Sequence, residues 1–265
     1  MSTIKFSAPA GVTHVSVGTG SAVQVSPDGT VAVDPQYTSA LAQAGFTRVP
    51  NHNGNVLVET HFYNNGGTIP TSANIGFPVT AHLVKTSGSP AAAFLSAYAP
   101  GAIRLTIDNT SEKQAAALYN ADTLSLDTTV GFVMITKVRV PTLPASATSI
   151  GFGVTTAYAD GLTGGGVYEM FKIDNGGTVE VLTYDGTTTG SLNTTGIVKA
   201  GEWHTFTLDA TANTGVVFSM DGSALATVPV VAPSGTIAVQ PFFDVFKASG
   251  TTTGTLDVDS LIITF

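Results

Sequence analysis

Residues 201–229 carry the clearest alternation of apolar and polar positions in the chain. Side chains of a strand point to opposite faces in turn, so this pattern predicts three consecutive strands at 203–209, 215–221 and 224–228. Asp221-Gly222 separates the last two strands. This pair is typical of a tight hairpin, because glycine adopts a positive φ without strain. We therefore predict an antiparallel sheet in this segment.

Similar patterns recur from residue 56 to the end of the chain. We count roughly a dozen short apolar segments separated by Gly, Asn, Asp, Thr and Pro, which is typical of two packed antiparallel sheets. The longest segment, 130–140, is apolar on both faces in its first half, as expected for a central strand. A hairpin is predicted over 166–185, with its turn at Asn175-Gly176-Gly177.

The pattern of residues 1–50 predicts a separate small module. Alternation predicts its strands at 13–17, 21–25, 30–33 and 46–49. The one helix predicted in the chain precedes the last of these strands. Asp34 is a suitable N-cap, Pro35 occupies the first helical position, and Gly45 follows the last turn. Such a module is marginally stable alone and is expected to pack on a neighbour.

Two segments resemble known sandwich proteins. The strand beginning Trp203-His204, followed by an apolar strand that ends in Asp221-Gly222, resembles the concanavalin A-like (laminin-G-like) jelly rolls. The terminal sequence TLDVDSLIITF resembles the last strand of the same domains. The resemblance implies a mainly β protein whose larger domain is a concanavalin A-like antiparallel β-sandwich.

We accordingly divide the chain into a β-rich module with one helix at 1–50, a polar linker at 51–55 and a sandwich at 56–265. The resemblance covers 130–265 well. Two alternatives stay open for 56–129, which either belongs to the same sandwich or forms an intermediate domain.

Composition excludes several classes of protein. Only 11% of the residues are charged and the net charge is −8, so a basic surface for nucleic acid is not expected. The chain has no cysteine, which excludes disulfides and thiolate metal sites. No segment has the length of a membrane span or of a signal peptide, so synthesis in a cytoplasm is expected. The mean hydropathy of +0.29 indicates large cores and apolar surface buried in an assembly.

No convincing catalytic set emerges from the sequence. Hydrolases with this fold need two carboxylates across a groove, and the Glu-x-Asp-x-Glu run of laminarinase-like enzymes is missing. Asp257 and Asp259 have a spacing of two residues but are expected on an outward face. Glu169 and Glu180 lie on the two arms of the predicted hairpin and could face each other, although solvated strand carboxylates explain them more simply. We therefore predict a protein without catalytic residues.

Metal ligands are equally sparse. The five histidines show no ligand spacing, and His204 is predicted to be a hydrogen-bonded, partly buried structural residue. No cofactor is expected. Calcium stays an alternative, with Asp174, Asp209 and Asp221 as conceivable ligands.

Glycan binding requires exposed aromatic rings beside hydrogen-bonding loops. Tyr158, Tyr168 and Tyr184 are the candidate platforms, and the loop at 160–166 (DGLTGGG) could shape a pocket beside them. The sole tryptophan, Trp203, is explained by core packing.

The N-terminal hairpin followed by DPQYTSALAQAGFTRV resembles the short N-terminal modules of tailed-bacteriophage virion proteins. The resemblance implies a non-enzymatic structural protein that decorates and stabilises the exterior of the capsid, or a head fibre, made in the cytoplasm of a host bacterium. Its expected partners are the major capsid protein or other virion proteins and further copies of itself, with a trimer favoured. The residues expected to contact them are Asp34, Pro35, Tyr37, Leu41 and Phe46.

Two alternative functions stay open. One is a tail-fibre or receptor-binding adhesin that recognises surface glycans of the host. The other is a polysaccharide hydrolase built on the jelly roll.

Overall fold

A computed structural model describes residues 4–7, 12–17, 21–26, 30–33, 47–49, 56–62, 79–95, 101–120, 126–127, 131–161, 166–211, 215–228 and 238–264. The chain divides into two compact units, Met1–Val56 and Leu57–Phe265. The predicted linker at 51–55 and the predicted helix after Asp34 lie outside the described residues. No α-helix occurs in the part of the chain that is described, and so none there could cross a membrane.

The first unit is built from short antiparallel strands. Their bounds are β1 (Ile4–Ser7), β2 (His14–Val17), β3 (Ser21–Gln24), β4 (Thr30–Val33) and β5 (Thr47–Val49). β1 lies between β4 and β5 in one sheet, while β2 and β3 form a hairpin. The alternation of the sequence thus predicted β2 to β5, and β1 was missed.

The second unit contains all the remaining strands. They are β6 (Val56–His61), β7 (Thr80–Lys85), β8 (Ala91–Phe94), β9 (Ile103–Ile107), β10 (Gln114–Tyr119), β11 (Leu126–Asp127), β12 (Val133–Thr142), β13 (Thr148–Thr155), β14 (Tyr168–Ile173), β15 (Thr178–Tyr184), β16 (Thr189–Ile197), β17 (Trp203–Asp209), β18 (Val216–Met220), β19 (Ser223–Val228), β20 (Ala238–Lys247) and β21 (Gly254–Thr264).

These strands form two antiparallel sheets. Sheet I has the order β16-β15-β14-β13-β20-β10-β7, with β11 pairing with β20. Sheet II has the order β19-β18-β17-β12-β21-β9-β8, with β6 pairing with β21. Strands β7 and β10 belong to sheet I, and strands β8 and β9 belong to sheet II.

Four phenylalanine rings join the sheets. Phe152 and Phe171 of sheet I both lie 4.9 Å, centroid to centroid, from Phe206 of sheet II. Phe171 is also 5.0 Å from Phe218. Three of these contacts are edge-to-face, the geometry that the ring quadrupoles favour. All four side chains are buried, and they lie at the centre of the apolar core between the sheets.

The predicted turns determine the local registers. Asp221 (φ 52°) and Gly222 (φ 79°) both have positive φ, as a primed hairpin turn requires. The turn at Asn175–Gly177 joins β14 to β15 and contains two glycines at positive φ, Gly176 and Gly177. Both hairpins confirm the sequence prediction.

Gly153 is required by the packing of β13 on β14. A Cβ atom at this position would lie 2.2 Å from the main-chain oxygen of Glu169 and 2.7 Å from the Cα of Met170. Gly153 and Met170 are direct cross-strand partners, so the strands cannot move apart without breaking their hydrogen bonds.

We expect Gly153→Ala to lower the free energy of unfolding by about 3 kcal/mol, because the added methyl group overlaps with backbone atoms. The matched control is Gly176→Ala, where a Cβ has open space and only the positive φ is unfavourable, at about 1 kcal/mol. Urea denaturation of both variants measures the difference. Equal losses would show that β13 and β14 are not packed as described.

Candidate functional site

The outer face of sheet I carries a second, smaller apolar cluster, separate from the core between the sheets. Its buried members are Tyr168, Met170, Leu182 and Phe242, and its partly buried members are Tyr119, Tyr158 and Tyr184. Strict alternation places them there, because Phe171 and Phe243, the neighbours of Met170 and Phe242, belong to the inner core. The structure therefore brings all three sequence-predicted tyrosines to one face.

The three predicted tyrosines differ in accessibility. Tyr168 is only 5% exposed and its ring lies 5.5 Å from that of Tyr184, so it offers no free ring face to a sugar in this arrangement. Tyr184 is partly exposed and its hydroxyl donates a hydrogen bond to the Gly186 oxygen (2.7 Å). Tyr158 is also partly exposed, although its hydroxyl is buried. Tyr158 and Tyr184 are thus the two of the three tyrosines that are partly exposed.

Tyr158 belongs to a group of three rings that the sequence did not predict. Its ring lies 5.1 Å from that of Tyr119 and 5.2 Å from that of His82, and the last two rings are 5.7 Å apart. Tyr119 and His82 come from β10 and β7, which pair side by side at one edge of sheet I. We call His82, Tyr119 and Tyr158 the ring cluster.

Charged groups surround the ring cluster. The Asp160 carboxylate accepts a hydrogen bond from Lys113 Nζ (2.8 Å), and its other oxygen lies 3.5 Å from His82 Nε2. The side chains of Lys113 and His82 are 42% and 36% exposed, so solvent reaches this edge of the site. Aromatic rings and exposed polar groups therefore meet at one place on sheet I.

Asp244 lies next to this place but is fully buried. Its carboxylate oxygens and the Tyr158 hydroxyl have no hydrogen-bond partner. Burial raises the pKa of Asp244 to about 8, and the charge of Asp160 acts in the same direction. The Tyr158 hydroxyl and the N–H groups of Gly161 and Val245 approach the carboxyl group and lower this pKa in part. Asp244 is therefore protonated near neutral pH.

Glu169 and Glu180 do not face each other, so the alternative of a carboxylate pair on this hairpin fails. Glu169 pairs across the hairpin with Thr183, and Glu180 pairs with Lys172. The two carboxylates consequently lie on opposite faces of sheet I. Glu180 accepts a hydrogen bond from Lys172 (3.0 Å) on the outer face, whereas burial at the inner face raises the pKa of Glu169 to about 7. They cannot act together across a groove.

Asp257 and Asp259 lie on the outer face of sheet II, as predicted, but they are not solvated. Asp257 is fully buried and both of its oxygens are bound, one at 2.6 Å by Arg104 and the other at 2.6 Å by Arg139. The Arg139 guanidinium lies 4.7 Å from the centre of the Trp203 ring. This arrangement accounts for Asp257 as a structural ion pair, so it is not the exposed carboxylate that a hydrolase would need. Trp203 is therefore on the outer face and not in the core, where we had expected it.

His204 has the structural role predicted for it. Its Nδ1 lies 2.7 Å from the Asp221 carboxylate, and its side chain is mostly buried. Asp209 accepts hydrogen bonds from Thr211, and Asp174 binds Lys172, so the three conceivable calcium ligands are engaged separately. Among the described residues no group of three metal-ligating side chains occurs.

The residues expected to contact a capsid or another subunit, Asp34, Pro35, Tyr37, Leu41 and Phe46, lie outside the described residues.

Comparison with known proteins supports the fold. The chain matches no protein-family model and no curated protein. Its structure is similar to the endo-β-1,4-glucuronan lyase of the fungus Trichoderma reesei, with 11% identity, a TM-score of 0.55, and coverage of 79% of this chain and 95% of the lyase. It is similar to a glycoside hydrolase family 16 endo-glucanase from Bacteroides ovatus, with 10% identity, a TM-score of 0.55, and coverage of 78% and 99%.

A third similar structure is the carbohydrate recognition domain of Emp47p, with 11% identity, a TM-score of 0.52, and coverage of 77% of this chain and 93% of that domain. At these identities the similarity concerns the fold alone. It supports the predicted antiparallel β-sandwich of jelly-roll type.

The pKa of Asp244 implies a dependence of stability on pH. Because the folded-state pKa of about 8 lies above the usual value, the folded protein holds a proton that the unfolded chain has already lost. The resulting stabilisation is complete below pH 4 and is lost as the pH rises to 8. We expect Asp244→Asn, which cannot ionise, to remove up to about 4 kcal/mol of the fall between pH 5 and pH 8. Urea denaturation at both pH values measures it, and an unchanged pH slope would contradict the assignment.

Removing the charge of Asp257 should cost stability. We expect Asp257→Asn to lower the free energy of unfolding by about 3 kcal/mol, because Arg104 and Arg139 lose the buried charge that they share. Glu202→Gln serves as control, since Glu202 is half exposed and lies 3.9 Å from Lys199. Thermal and chemical denaturation measure both. A loss no larger than that of the control would show that the ion pair is not formed.

Proposed function

We propose that this chain is a non-catalytic carbohydrate-binding protein that holds a glycan on the outer face of sheet I. The observation that carries the proposal is the ring cluster with the Asp160–Lys113 ion pair beside it. Ring faces stack on the apolar faces of sugars, while exposed carboxylate, ammonium and imidazole groups bind their hydroxyl groups. All three similar proteins carry names that refer to carbohydrates, which supports the proposal at the level of the fold.

The strand at the middle of sheet I supports a binding role over a catalytic one. The residues of β13 that face outward are Ser149, Gly151, Gly153 and Thr155, so no carboxylate stands there. On the neighbouring strand β20, Asp244 is the ionisable residue that faces outward near the ring cluster. Its side chain is fully buried.

A polysaccharide hydrolase is the second candidate, and one observation favours it. Asp244 holds a proton beside Asp160, whose carboxylate is paired with Lys113. A protonated and an ionised carboxyl group in one site are what glycoside hydrolysis uses. This candidate predicts release of reducing ends from a polysaccharide, with turnover lost in both Asp160→Asn and Asp244→Asn.

A structural role in a virion remains a prediction. It rests on the resemblance of the N-terminal segment to modules of tailed-bacteriophage virion proteins. It predicts that the whole chain binds capsids and that deletion of residues 1–50 abolishes this binding. A glycan-binding sandwich is compatible with the adhesin alternative, in which the glycan belongs to the surface of the host.

Glycan binding is tested by affinity electrophoresis against a panel of soluble polysaccharides, followed by titration with the one retained. We expect Tyr158→Ala and His82→Ala each to weaken binding at least about tenfold, because each removes a ring of the cluster. Lys199→Ala is the control, since this exposed side chain lies in the turn before β17. If wild-type protein binds no glycan, or if the ring variants bind as tightly as the control, the proposed function is wrong.

A further inference from the structure

The sheet face around Asp244 has the shape of a slot. In the cross-strand row Asp244 is flanked by Ala117 on β10 and by Gly151 on β13, so neither neighbour has a side chain beyond Cβ. The adjacent row carries the large residues Tyr119 and Phe242. Asp244 therefore lies at the bottom of a depression between bulkier side chains.

Residues 158–161 cover this depression. The Tyr158 side chain and the Gly161 N–H both approach the Asp244 carboxyl group. Gly161 also packs on Phe246, since a Cβ at Gly161 would lie 3.1 Å from that ring. The lack of a side chain at Gly161 thus allows the segment to lie flat over the sheet.

The covered space is polar and unsatisfied. Both oxygens of Asp244 and the hydroxyl of Tyr158 are buried without a hydrogen-bond partner. A buried polar group without a partner is unfavourable and calls for an explanation, and a bound molecule that supplies the missing hydrogen bonds is one such explanation. Three of them converge here, which is the arrangement that a ligand rich in hydroxyl groups would satisfy.

The cover is held by polar contacts that a ligand can replace. Asp160 binds Lys113 and lies near His82, and these groups are partly exposed to solvent. Exposed ion pairs of this kind are weak. Opening the cover therefore requires the exchange of these contacts, and of the contacts of the Tyr158 ring with Tyr119 and His82, for contacts with the ligand.

The charges around Asp244 select the class of ligand. The groups around it come from several elements. They are His82 from β7, Lys113 just before β10, Tyr119 at the end of β10, Tyr158 and Asp160 from the covering segment, and Lys172 across Gly151. Lys113 is paired with Asp160, and Lys172 with Asp174 and Glu180. Among the described residues at this place, both lysines are thus already paired with carboxylates. A further anion would be repelled by the charge of Asp160.

We propose that Asp244 is the recognition group of a pocket for a neutral sugar unit, which the segment 158–161 closes in this structure. The pocket rests on the proposed function and specifies its ligand. A protonated Asp244 donates one hydrogen bond and accepts another, which suits a sugar hydroxyl. A uronate would bring a negative charge to a place that has no unpaired cation among the described residues.

The test is calorimetric titration with a neutral gluco-oligosaccharide and with the glucuronic-acid oligosaccharide of the same length and linkage. Wild-type protein should bind the neutral sugar at least about tenfold more tightly. Asp244→Ala should weaken this binding at least about tenfold, whereas Asp244→Asn should retain it within about threefold, because an amide also donates and accepts. Asp209→Asn, on sheet II, is the control, and the unfolding of each variant is measured alongside.

The outcomes separate the two proposals. If wild-type protein binds neither sugar, both the proposed function and the pocket are wrong. If it binds and Asp244→Ala binds equally well, only the pocket is wrong. Tighter binding of the glucuronic-acid oligosaccharide overturns the ligand class.

A pH series gives a second readout. Wild-type affinity for the neutral sugar should fall as the pH rises above about 8, where Asp244 loses its proton and its donor, while that of Asp244→Asn stays level. The same fall in both variants would contradict the role of Asp244.

Discussion

The packing of the two sheets through Phe152, Phe171, Phe206 and Phe218 is the contact on which the rest of the structure depends. It occupies the inner faces with large apolar side chains. Because strand residues alternate between faces, polar residues at the intervening positions are directed outward. The chemistry of this domain is therefore confined to two outer faces and to the ends of the sandwich. Both faces bring aromatic rings to charged groups. On sheet II the Trp203 ring lies beside Arg139, whereas on sheet I the three rings of the ring cluster adjoin the Asp160–Lys113 ion pair.

The buried acidic residues differ in whether a neighbouring cation compensates their charge. Asp257 is compensated by two arginines, so it contributes an ion pair to the outer face of sheet II. Asp244 and Glu169 have no such partners and their pKa values rise. Uncompensated burial is unfavourable for stability, and groups of this kind are concentrated at functional sites. Asp244 adjoins the ring cluster, whereas Glu169 faces the core. This difference in position makes Asp244, and not Glu169, part of the candidate site.

Much of the fold could be predicted because its signals are local. Alternation and the turns at Asp221-Gly222 and Asn175-Gly176-Gly177 predicted hairpins that the structure confirms. The centre of the second turn, Gly176, already determines that Glu169 pairs with Thr183, so the turn alone excludes a facing pair of Glu169 and Glu180. Two adjacent polar residues, Asp259 and Ser260, likewise signal the irregularity in β21 that shifts its register against β12.

The site was predicted only in part. Tyr158, Tyr168 and Tyr184 lie on one face because Tyr168 and Tyr184 are cross-strand partners in one hairpin and Tyr158 closely follows the preceding strand, β13. His82 and Tyr119 reach the same face through the pairing of β7, β10 and β20, which joins segments more than a hundred residues apart. No periodicity within a short window carries that information. The exposed charges and the cover over Asp244 likewise depend on these long-range pairings.

The central claim is that a glycan binds to the outer face of sheet I and not to that of sheet II. The most direct measurement is an NMR titration of protein with isotope-labelled histidine, tyrosine and tryptophan, using the neutral gluco-oligosaccharide. The account predicts that the ring signals of His82, Tyr119 and Tyr158 shift on binding while the indole signal of Trp203 stays unchanged. A shift of the Trp203 signal with no change in the ring cluster would contradict it.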